Sequence, residues 1–276
     1  MHTVKSGNVA LPALGFGTWQ LEGDTARRMV ETALEVGYRH IDTAQIYKNE
    51  REVGAAIKAS GVARGDIFLT TKVWVERFKG GDLQASVEES LERLGVDQVD
   101  LLLLHWPKPT PALDETIAAL NDVQQRGWTR AIGLSNFPSA QFKQAAALSA
   151  APIATNQVEY HPYLTQKTVL ETVRAAGASL TAWSPLAQGK IVGDPVIEAA
   201  AKAHGKTPGQ VTLRWLIQQD GVVAIPRTQK AERARENFDI FDFELTQEEM
   251  AKISALGSPQ GRLGDWLDPA FQWDAA

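Results

Sequence analysis

Four side chains of complementary chemistry stand at the ends of apolar segments in this sequence. Asp42 closes a short apolar run, and Tyr47 follows it by five residues. Two longer apolar runs end in Lys72 and His105. In chains that alternate strands and helices, the carboxyl ends of parallel strands meet at one face, and the loops after them carry chemistry. We therefore expect a carboxylate, a phenol, an ammonium and an imidazole to converge on one site.

These four groups suit proton transfer. An isolated tyrosine has a pKa of about 10 and is a reluctant donor at neutral pH. A neighbouring Lys72 ammonium would lower that pKa toward the working range, while Asp42 would keep the lysine charged and oriented. A neutral His105 could donate a hydrogen bond. From the residues alone, Asp42 and Lys72 could equally form a buried ion pair between two strands, and His105 could be a core histidine.

The elements that position these residues alternate between strand and helix patterns. Apolar runs predict eight strands, near residues 14–18, 39–41, 67–71, 99–104, 129–134, 154–158, 179–183 and 222–225. Helical periodicity predicts helices near residues 24–36, 50–59, 82–94, 113–126, 139–148, 166–176, 195–204, 208–219 and 230–237. This order predicts an α/β fold, a single (β/α)8 TIM barrel over residues 1–276, with a doubly wound sheet as the alternative.

Both ends of the chain add elements to the predicted barrel. Residues 2–12 predict a hairpin that caps its closed end. Asp24 is a candidate N-cap for the first helix. Thr246 and Glu249 form a capping-box pattern for a last helix that ends near Ala255, and the tail beyond it has no periodicity.

Longer motifs make the sequence similar to a known family. The segments concerned are Gly133-Leu-Ser-Asn-Phe137, Asn156-Gln157, Ser184-Pro-Leu186 and Glu236-Asn237. With the four residues above, they resemble the signatures of the aldo-keto reductases over most of the chain, and among bacterial members the 2,5-diketo-D-gluconate reductases most of all. The resemblance implies that Asp42, Tyr47, Lys72 and His105 form a catalytic tetrad in which Tyr47 is the proton donor.

The resemblance also implies a nicotinamide cofactor, because none of the four side chains can deliver a hydride. NADPH (NADP+) is expected, with Arg227 and Arg233 near its 2′-phosphate at a helix start and Trp183 stacked on the nicotinamide. Arg227 and Thr228 stand where lysine and serine are commonest in the family, which keeps the charge and the hydroxyl. The implied cofactor residues are Thr18, Trp19, Ser135, Asn136, Gln157, Trp183, Ser184, Pro185, Leu186, Pro226, Arg227, Thr228, Arg233, Glu236 and Asn237.

Aromatic residues are expected to line the substrate side of the site. The candidate substrate-binding residues are Trp19, Trp74, His105, Trp106 and Trp266. In the family the equivalent tail folds over the barrel mouth, so we expect Trp266 to face the substrate. The alternative is that the aromatic residues of the tail fasten it to the outer helices.

Composition limits the other possibilities. The absence of cysteine excludes disulfides and thiolate metal sites, and five scattered histidines make any metal site improbable. A net charge of −5 argues against a general nucleic-acid binder. No apolar run approaches the roughly 18 residues that span a bilayer, and the first residues lack the apolar core of a signal peptide. We expect a cytoplasmic monomer that binds small carbonyl substrates, without nucleic-acid or membrane partners.

The sequence therefore predicts an NADPH-dependent oxidoreductase that reduces aldehydes and ketones to alcohols. Sugar-derived dicarbonyls and methylglyoxal-like aldehydes are the expected substrates. Two alternatives stay open at this stage. One is a barrel aldolase or isomerase in which Lys72 forms a Schiff base. The other is a non-catalytic nicotinamide-binding module.

Overall fold

A closed parallel barrel forms the centre of the protein. The structure, a computed structural model, describes residues 2–264 and 272–274. The barrel strands, each paired with its neighbours in chain order, are β3 (Phe16–Gly17), β4 (His40–Asp42), β5 (Phe68–Val73), β6 (Val99–Leu104), β7 (Thr129–Ser135), β8 (Ile153–Glu159), β9 (Ser179–Trp183) and β10 (Val222–Ala224). Leu14 bridges to Ala224, so the first and last strands meet and the sheet closes. The predicted (β/α)8 fold is confirmed.

Helices cover the outside of the barrel. They are α1 (Gly23–Val36), α2 (Glu50–Ala59), α3 (Asp82–Leu94), α4 (Leu113–Gln125), α5 (Ser139–Leu148), α6 (Lys167–Ala175), α7 (Pro195–His204), α8 (Pro208–Ile217), α9 (Ala231–Phe238) and α10 (Gln247–Ser254). In the described part of the chain, no helix has the length and apolar character needed to cross a membrane.

The ends of two helices test the predicted caps. Helix α1 begins one residue before Asp24, and Glu22 occupies its N-cap without a side-chain bond, so the prediction that Asp24 caps this helix is wrong. Asp24 lies in the first turn instead, where a carboxylate interacts favourably with the helix dipole. The capping box of α10 is confirmed, because Thr246 and Glu249 each accept a hydrogen bond from the other's backbone N–H.

The N-terminal hairpin closes one end of the barrel. It consists of β1 (Thr3–Ser6) and β2 (Val9–Pro12), paired antiparallel. The Gly7 amide donates to the carbonyl of Gly177, just before β9, and the Ser6 hydroxyl donates to the carbonyl of Ala154, near the start of β8. The hairpin therefore covers the amino ends of the strands and leaves the carboxyl ends open.

Apolar side chains fill the barrel interior, so polar side chains concentrate at the strand ends. Every residue of β6 is buried. Gly133 of β7 lies so close to its register partner on the neighbouring strand β6 that a Cβ there would come 2.6 Å from Cδ2 of Leu103. A barrel packed in this way has no internal channel, and its chemistry is confined to the loops at the carboxyl ends of the strands.

Candidate active site

Lys72 is the centre of a buried polar cluster at the carboxyl ends of β4 and β5. Its Nζ donates to Oδ1 of Asp42 at 2.5 Å and to the carbonyl of Thr43 at 2.8 Å. It also lies 3.4 Å from the hydroxyl of Tyr47. Lys72 and Asp42 are fully buried, so their pairing is not screened by water. The three donors of the ammonium are thus directed at one carboxylate, one carbonyl and one phenol.

The imidazole of His105 completes the cluster from the end of β6. Its ring centroid lies 5.6 Å from that of Tyr47 and 5.4 Å from that of Trp74, edge to face in both cases. His105 is buried, and its Nδ1 has no hydrogen-bond partner among the described residues. The structure therefore brings together all four residues that the sequence selected, with Trp74 beside them.

Burial and charge set the protonation states of this cluster. Burial raises the pKa of Tyr47, and the nearby Lys72 offsets only part of that rise. Burial alone would lower the pKa of Lys72, but the charge of Asp42 reverses this and leaves it raised. Burial, followed by the charge of Lys72, holds the pKa of His105 well below its usual value. At neutral pH the cluster therefore contains a protonated phenol, an ammonium and a neutral imidazole.

The directions of these pKa shifts correct one expectation from the sequence and confirm another. The expected net lowering of the Tyr47 pKa is wrong for this structure, because desolvation of the phenolate outweighs its attraction to Lys72. The neutral state expected for His105 is confirmed. The phenol therefore stays protonated at neutral pH and carries a proton that can be transferred, while the adjacent Lys72 ammonium can stabilise the phenolate that transfer would leave.

A short 3-10 turn at Gln45–Tyr47 holds the phenol in position. Gln45 fastens this turn by donating to Ser86 and Ser90 of α3 and by accepting from the backbone N–H of Trp74. Asn49, which follows the turn, donates to the carbonyls of Thr18 and Leu21 and so joins it to the loop after β3. These amides escaped the sequence analysis, because nothing in their spacing distinguishes them from ordinary surface residues.

Backbone strain is concentrated at this end of the barrel. Within the described ranges, the non-glycine residues with positive φ are Gln20, Lys48, Asn136, Ser184, Ala187 and Gln188. All six follow the carboxyl end of a barrel strand. Left-handed backbone is costly for residues that have a Cβ, and it clusters at functional sites where the surrounding structure enforces it.

Asn136 connects His105 to Trp183 across the mouth. Its Nδ2 donates to the His105 carbonyl and to the Ser135 hydroxyl, both at 3.0 Å, and its Oδ1 accepts from the indole Nε1 of Trp183 at 2.9 Å. Ser135 in turn donates to the carbonyl of Gln157. Three of the predicted nicotinamide-binding residues thus form one network beside the cluster.

Gln157 has a role that the sequence did not indicate. Its Nε2 donates to Oδ2 of Asp42 at 2.7 Å, so it supports the carboxylate that holds Lys72. Thr18, another predicted cofactor residue, directs its hydroxyl at the carbonyl of Asp42. Ser184, Pro185 and Leu186 lie in the loop directly after β9, at the same end of the barrel.

The predicted phosphate-binding segment lies between β10 and α9. Arg227 reaches across to the loop after β3, where its Nε donates to the carbonyl of Trp19 at 2.9 Å and its Nη2 to that of Gln20 at 3.2 Å. The hydroxyl of Thr228 accepts from the backbone of Lys230, which is the N-cap residue of α9. Pro226 accepts from the Gly17 amide, and Arg233 is exposed.

The rest of α9 is more enclosed. Asn237 is buried, and Glu236 accepts a hydrogen bond from Thr207, which caps α8. Cations and a hydroxyl at the start of a helix suit the phosphate monoester of NADPH, so this donor set fits the expected cofactor. Gly17 lies close to the carbonyl of Ile225, where a Cβ would come within 3.0 Å, so β3 packs directly against the segment that leads to Arg227.

The aromatic residues of the mouth differ in exposure. Trp19 is 38% exposed, whereas Trp106 is buried beneath Trp273, with ring centroids 5.9 Å apart. The guanidinium of Arg262 lies 3.5 Å from the Trp273 ring centroid. Trp266, predicted to face the substrate, lies outside the described residues.

The end of the tail is fastened to an outer helix. Asp274 accepts from the backbone N–H of Ser139 at 2.9 Å and also from its hydroxyl, so it caps the start of α5. This contact favours the alternative reading for residues 272–274, in which the tail is tied to the helices. Because Trp273 also covers Trp106, the same segment contributes to the wall of the mouth.

Comparison with known proteins agrees with this geometry. Residues 13–258 match the model of the aldo/keto reductase family. The chain belongs to the aldo/keto reductases. It is 45% identical over 260 residues to the glyoxal reductase of Bacillus subtilis (strain 168), covering 94% of each chain. It is 41% identical over 267 residues to the methylglyoxal reductase DkgB of Escherichia coli O157:H7, covering 94% of this chain and all of that one.

Solved structures of aldo/keto reductases share the fold. A crystal structure of a provisionally named 2,5-diketo-D-gluconic acid reductase B superposes with a TM-score of 0.96 at 51% identity, covering 100% of this chain and 98% of that one. An aldo/keto reductase from Brucella melitensis superposes with a TM-score of 0.89 at 40% identity, covering 92% and 99%. The resemblance to bacterial diketogluconate reductases is confirmed.

One buried group of this aldo/keto reductase escaped the sequence analysis altogether. Glu159 ends β8 with its carboxylate fully buried and contacts the tail rather than the cluster around Lys72. A charged residue at the end of a strand that is otherwise buried is the signal that could have revealed it, because buried charges need partners. No group of metal-ligating side chains was found in the described part of the chain.

Proposed function

We propose that this aldo/keto reductase reduces small dicarbonyl compounds to hydroxycarbonyls with NADPH, and that Tyr47 donates the proton. The observation that carries the proposal is the position of the Lys72 ammonium, 3.4 Å from the Tyr47 hydroxyl and held there by Asp42. Proton donation leaves a phenolate, and an ammonium at this distance stabilises that charge as it forms.

His105 would orient the substrate rather than exchange a proton with it. Its lowered pKa keeps the ring neutral at physiological pH, so it can donate a hydrogen bond without competing with Tyr47 as an acid. The ring lies between Tyr47 and Trp74, which restricts the direction from which a carbonyl oxygen can approach. The phenol and the imidazole would then meet the same oxygen.

Residues on opposite sides of the mouth would hold the coenzyme, which supplies the hydride when bound. Trp183, Asn136 and Ser135 would bind the nicotinamide end, where an amide network already exists. Arg227 and Thr228 would bind the adenosine phosphate at the start of α9. Gln157 would contact the coenzyme and also hold Asp42 in place, because it already donates a hydrogen bond to that carboxylate.

The substrate class follows from the relatives. Glyoxal, methylglyoxal and 2,5-diketo-D-gluconate, the compounds in their names, all carry more than one carbonyl group. We propose the same class for this chain. Trp19, exposed at the rim in the loop that Arg227 holds, would contact the part of the substrate distant from the reacting carbonyl.

The Schiff-base alternative conflicts with the state of Lys72. A lysine nucleophile needs an uncharged amine, which burial away from anions provides. Here the charge of Asp42 raises the pKa of Lys72, and its nitrogen is surrounded by three acceptors. The geometry therefore favours Lys72 as a fixed cation.

The direct test is a panel of carbonyl compounds assayed with NADPH and with NADH. We expect coenzyme oxidation with glyoxal, methylglyoxal and 2,5-diketo-D-gluconate, at a higher kcat/KM with NADPH. Borohydride trapping of substrate on Lys72 without coenzyme would support the aldolase alternative. Coenzyme binding without turnover of any compound would support the non-catalytic alternative.

Arg227→Ala tests the coenzyme preference. A charge-assisted hydrogen bond is worth about 1.5–3 kcal/mol, so NADPH should bind about tenfold more weakly or worse, while NADH changes little. Arg235→Ala removes an equal charge from an exposed position of α9 and should change neither affinity. Dissociation constants from fluorescence titration measure both. Equal losses for the two coenzymes would make Arg227 structural, because it also holds the loop after β3.

A further inference from the structure

The buried carboxylate of Glu159 anchors the segment 262–264 at the barrel mouth. Oε1 accepts from the backbone N–H of Leu263 at 2.6 Å and from Nε2 of His161 at 2.9 Å. Oε2 accepts from the backbone N–H of Gly264 at 3.0 Å and lies 3.8 Å from Nη1 of Arg262. Two consecutive backbone donors on one carboxylate fix the path of the chain as well as its distance.

The anchored segment contacts Trp183 directly. A Cβ built on Gly264 would lie 2.4 Å from Cη2 of Trp183, a separation that no side chain can occupy without moving the indole. Glu159 and Trp183 are register partners on β8 and β9. The carboxylate therefore contacts the tail backbone, and the tail backbone contacts the indole.

Trp183 is thus held from two sides. Its Nε1 donates to Asn136, and its six-membered ring is covered by Gly264. We propose that Glu159 is a positioning residue that sets the orientation of Trp183 through the backbone of Leu263 and Gly264. The tail then acts on the nicotinamide side of the site, and this reading rests on the proposed role of Trp183 in coenzyme binding.

The proposal separates Glu159 from the proton-transfer cluster. Within the described part of the chain, Glu159 contacts His161, Gln166 and residues 262–264 rather than Lys72. Its effect on the reaction would therefore pass through the position of the indole. Such support matters because a ligand ring binds more weakly to a stacking side chain that is free to change its orientation.

Glu159→Gln is the primary test, because it keeps the volume but turns one acceptor into a donor that faces backbone N–H groups. Trypsin cleavage after Arg262 should become about tenfold faster or more, since opening of the segment exposes that bond. NADPH should bind about tenfold more weakly, whereas 2′,5′-ADP, which lacks the nicotinamide, should keep its affinity within about twofold. Glu171→Gln, on the exposed face of α6, is the matched control and should change neither.

Gly264→Ala supplies a second variant that leaves the charges intact. Its methyl group should displace Trp183 and weaken NADPH relative to 2′,5′-ADP, as Glu159→Gln does. In a Trp183→Ala background, Glu159→Gln should have no further effect on NADPH affinity. Equal losses of NADPH and 2′,5′-ADP, or an unchanged ratio in both variants, would overturn the proposal. These readouts need no turnover, so they can fail or succeed independently of the proposed reaction.

Discussion

Two buried aspartates at opposite ends of the barrel wall show how similar ion pairs serve different purposes. Asp42 ends β4 at the open mouth and pairs with Lys72, which is completely buried. Asp100 lies near the start of β6 at the closed end and pairs with Arg64 and Arg130, whose side chains are 33% and 56% exposed. Both carboxylates join neighbouring strands, but the cation of the first also lies 3.4 Å from a titratable hydroxyl, that of Tyr47.

The two ion pairs differ in the groups that the cation contacts besides its carboxylate. At the closed end, Arg64 also donates to the carbonyls of Ile67 and Gln98, and Asp100 also accepts from the Leu69 amide, so these groups are engaged with fixed partners. At the mouth, Lys72 directs one donor at the Tyr47 hydroxyl. A buried pair becomes chemically useful when the geometry leaves its charge aimed at a titratable group.

Lys72→Met should have the largest effect, because it breaks both functions of the mouth pair. Removing one partner of a buried ion pair costs about 3–5 kcal/mol, since Asp42 would be left without its cation. Turnover should fall by about two orders of magnitude or more, because the Tyr47 phenolate would lose its counter-charge. Chemical denaturation and steady-state kinetics measure the two effects.

Lys206→Met is a suitable control for that experiment. Lys206 pairs with Asp239 and Asp242 on the surface of the protein, and both carboxylates are more than half exposed. Its loss should leave turnover intact. If Lys72→Met kept full turnover, the mouth pair would be a structural bridge like the one around Asp100.

Asp100→Asn should have an intermediate effect confined to stability. The variant removes the charge that attracts two arginines while keeping one acceptor, so a loss of about 1–3 kcal/mol is expected. Because Asp100 lies at the closed end, kcat/KM per folded molecule should be unchanged. A selective loss of turnover would show that the two ends of the barrel are coupled.

Arg130→Ala should have the smallest effect. Exposed ion pairs contribute about 0–1 kcal/mol, and Arg130 is more than half exposed despite its 2.8 Å contact with Asp100. Thermal unfolding at low and high salt would detect the difference. A loss that exceeds that of Asp100→Asn would mean that Arg130 stabilises the protein through contacts other than this carboxylate.

The sequence predicted most of the fold because its signal is local and repeated. Eight apolar runs alternate with helical patterns, and the barrel is the arrangement that buries all of them at once. The four central residues were also predictable, because Asp42, Lys72 and His105 each end an apolar run and Tyr47 follows Asp42 by five residues. A feature that recurs at every strand, such as an apolar run followed by a polar residue, can be predicted from the sequence alone.

The remaining features depend on distances that no sequence pattern encodes. The net rise in the Tyr47 pKa reflects a balance between burial and Lys72, and only coordinates weigh the two. The bond from Gln157 to Asp42 spans 115 residues. The left-handed backbone of Asn136 and Ser184 falls on residues whose types do not require it.

The tail was the least predictable element, for the same reason. Its aromatic residues suggested either a cover for the mouth or a fastening to the outer helices. Leu263 and Gly264 instead provide two main-chain donors for the buried carboxylate of Glu159, so removing the tail would take both of these hydrogen bonds away from it.

The central claim is that Tyr47 donates the proton beside a fixed cation, and single-turnover reduction of methylglyoxal by Tyr47→Phe tests it most directly. With NADPH saturating, we predict a fall of about two to four orders of magnitude in the rate of coenzyme oxidation, while NADPH affinity stays within a few fold. Tyr160→Phe, which removes a buried phenol that donates a hydrogen bond to Gln219 just after α8, should keep the wild-type rate. A wild-type rate for Tyr47→Phe would contradict the account and require another proton donor at the mouth.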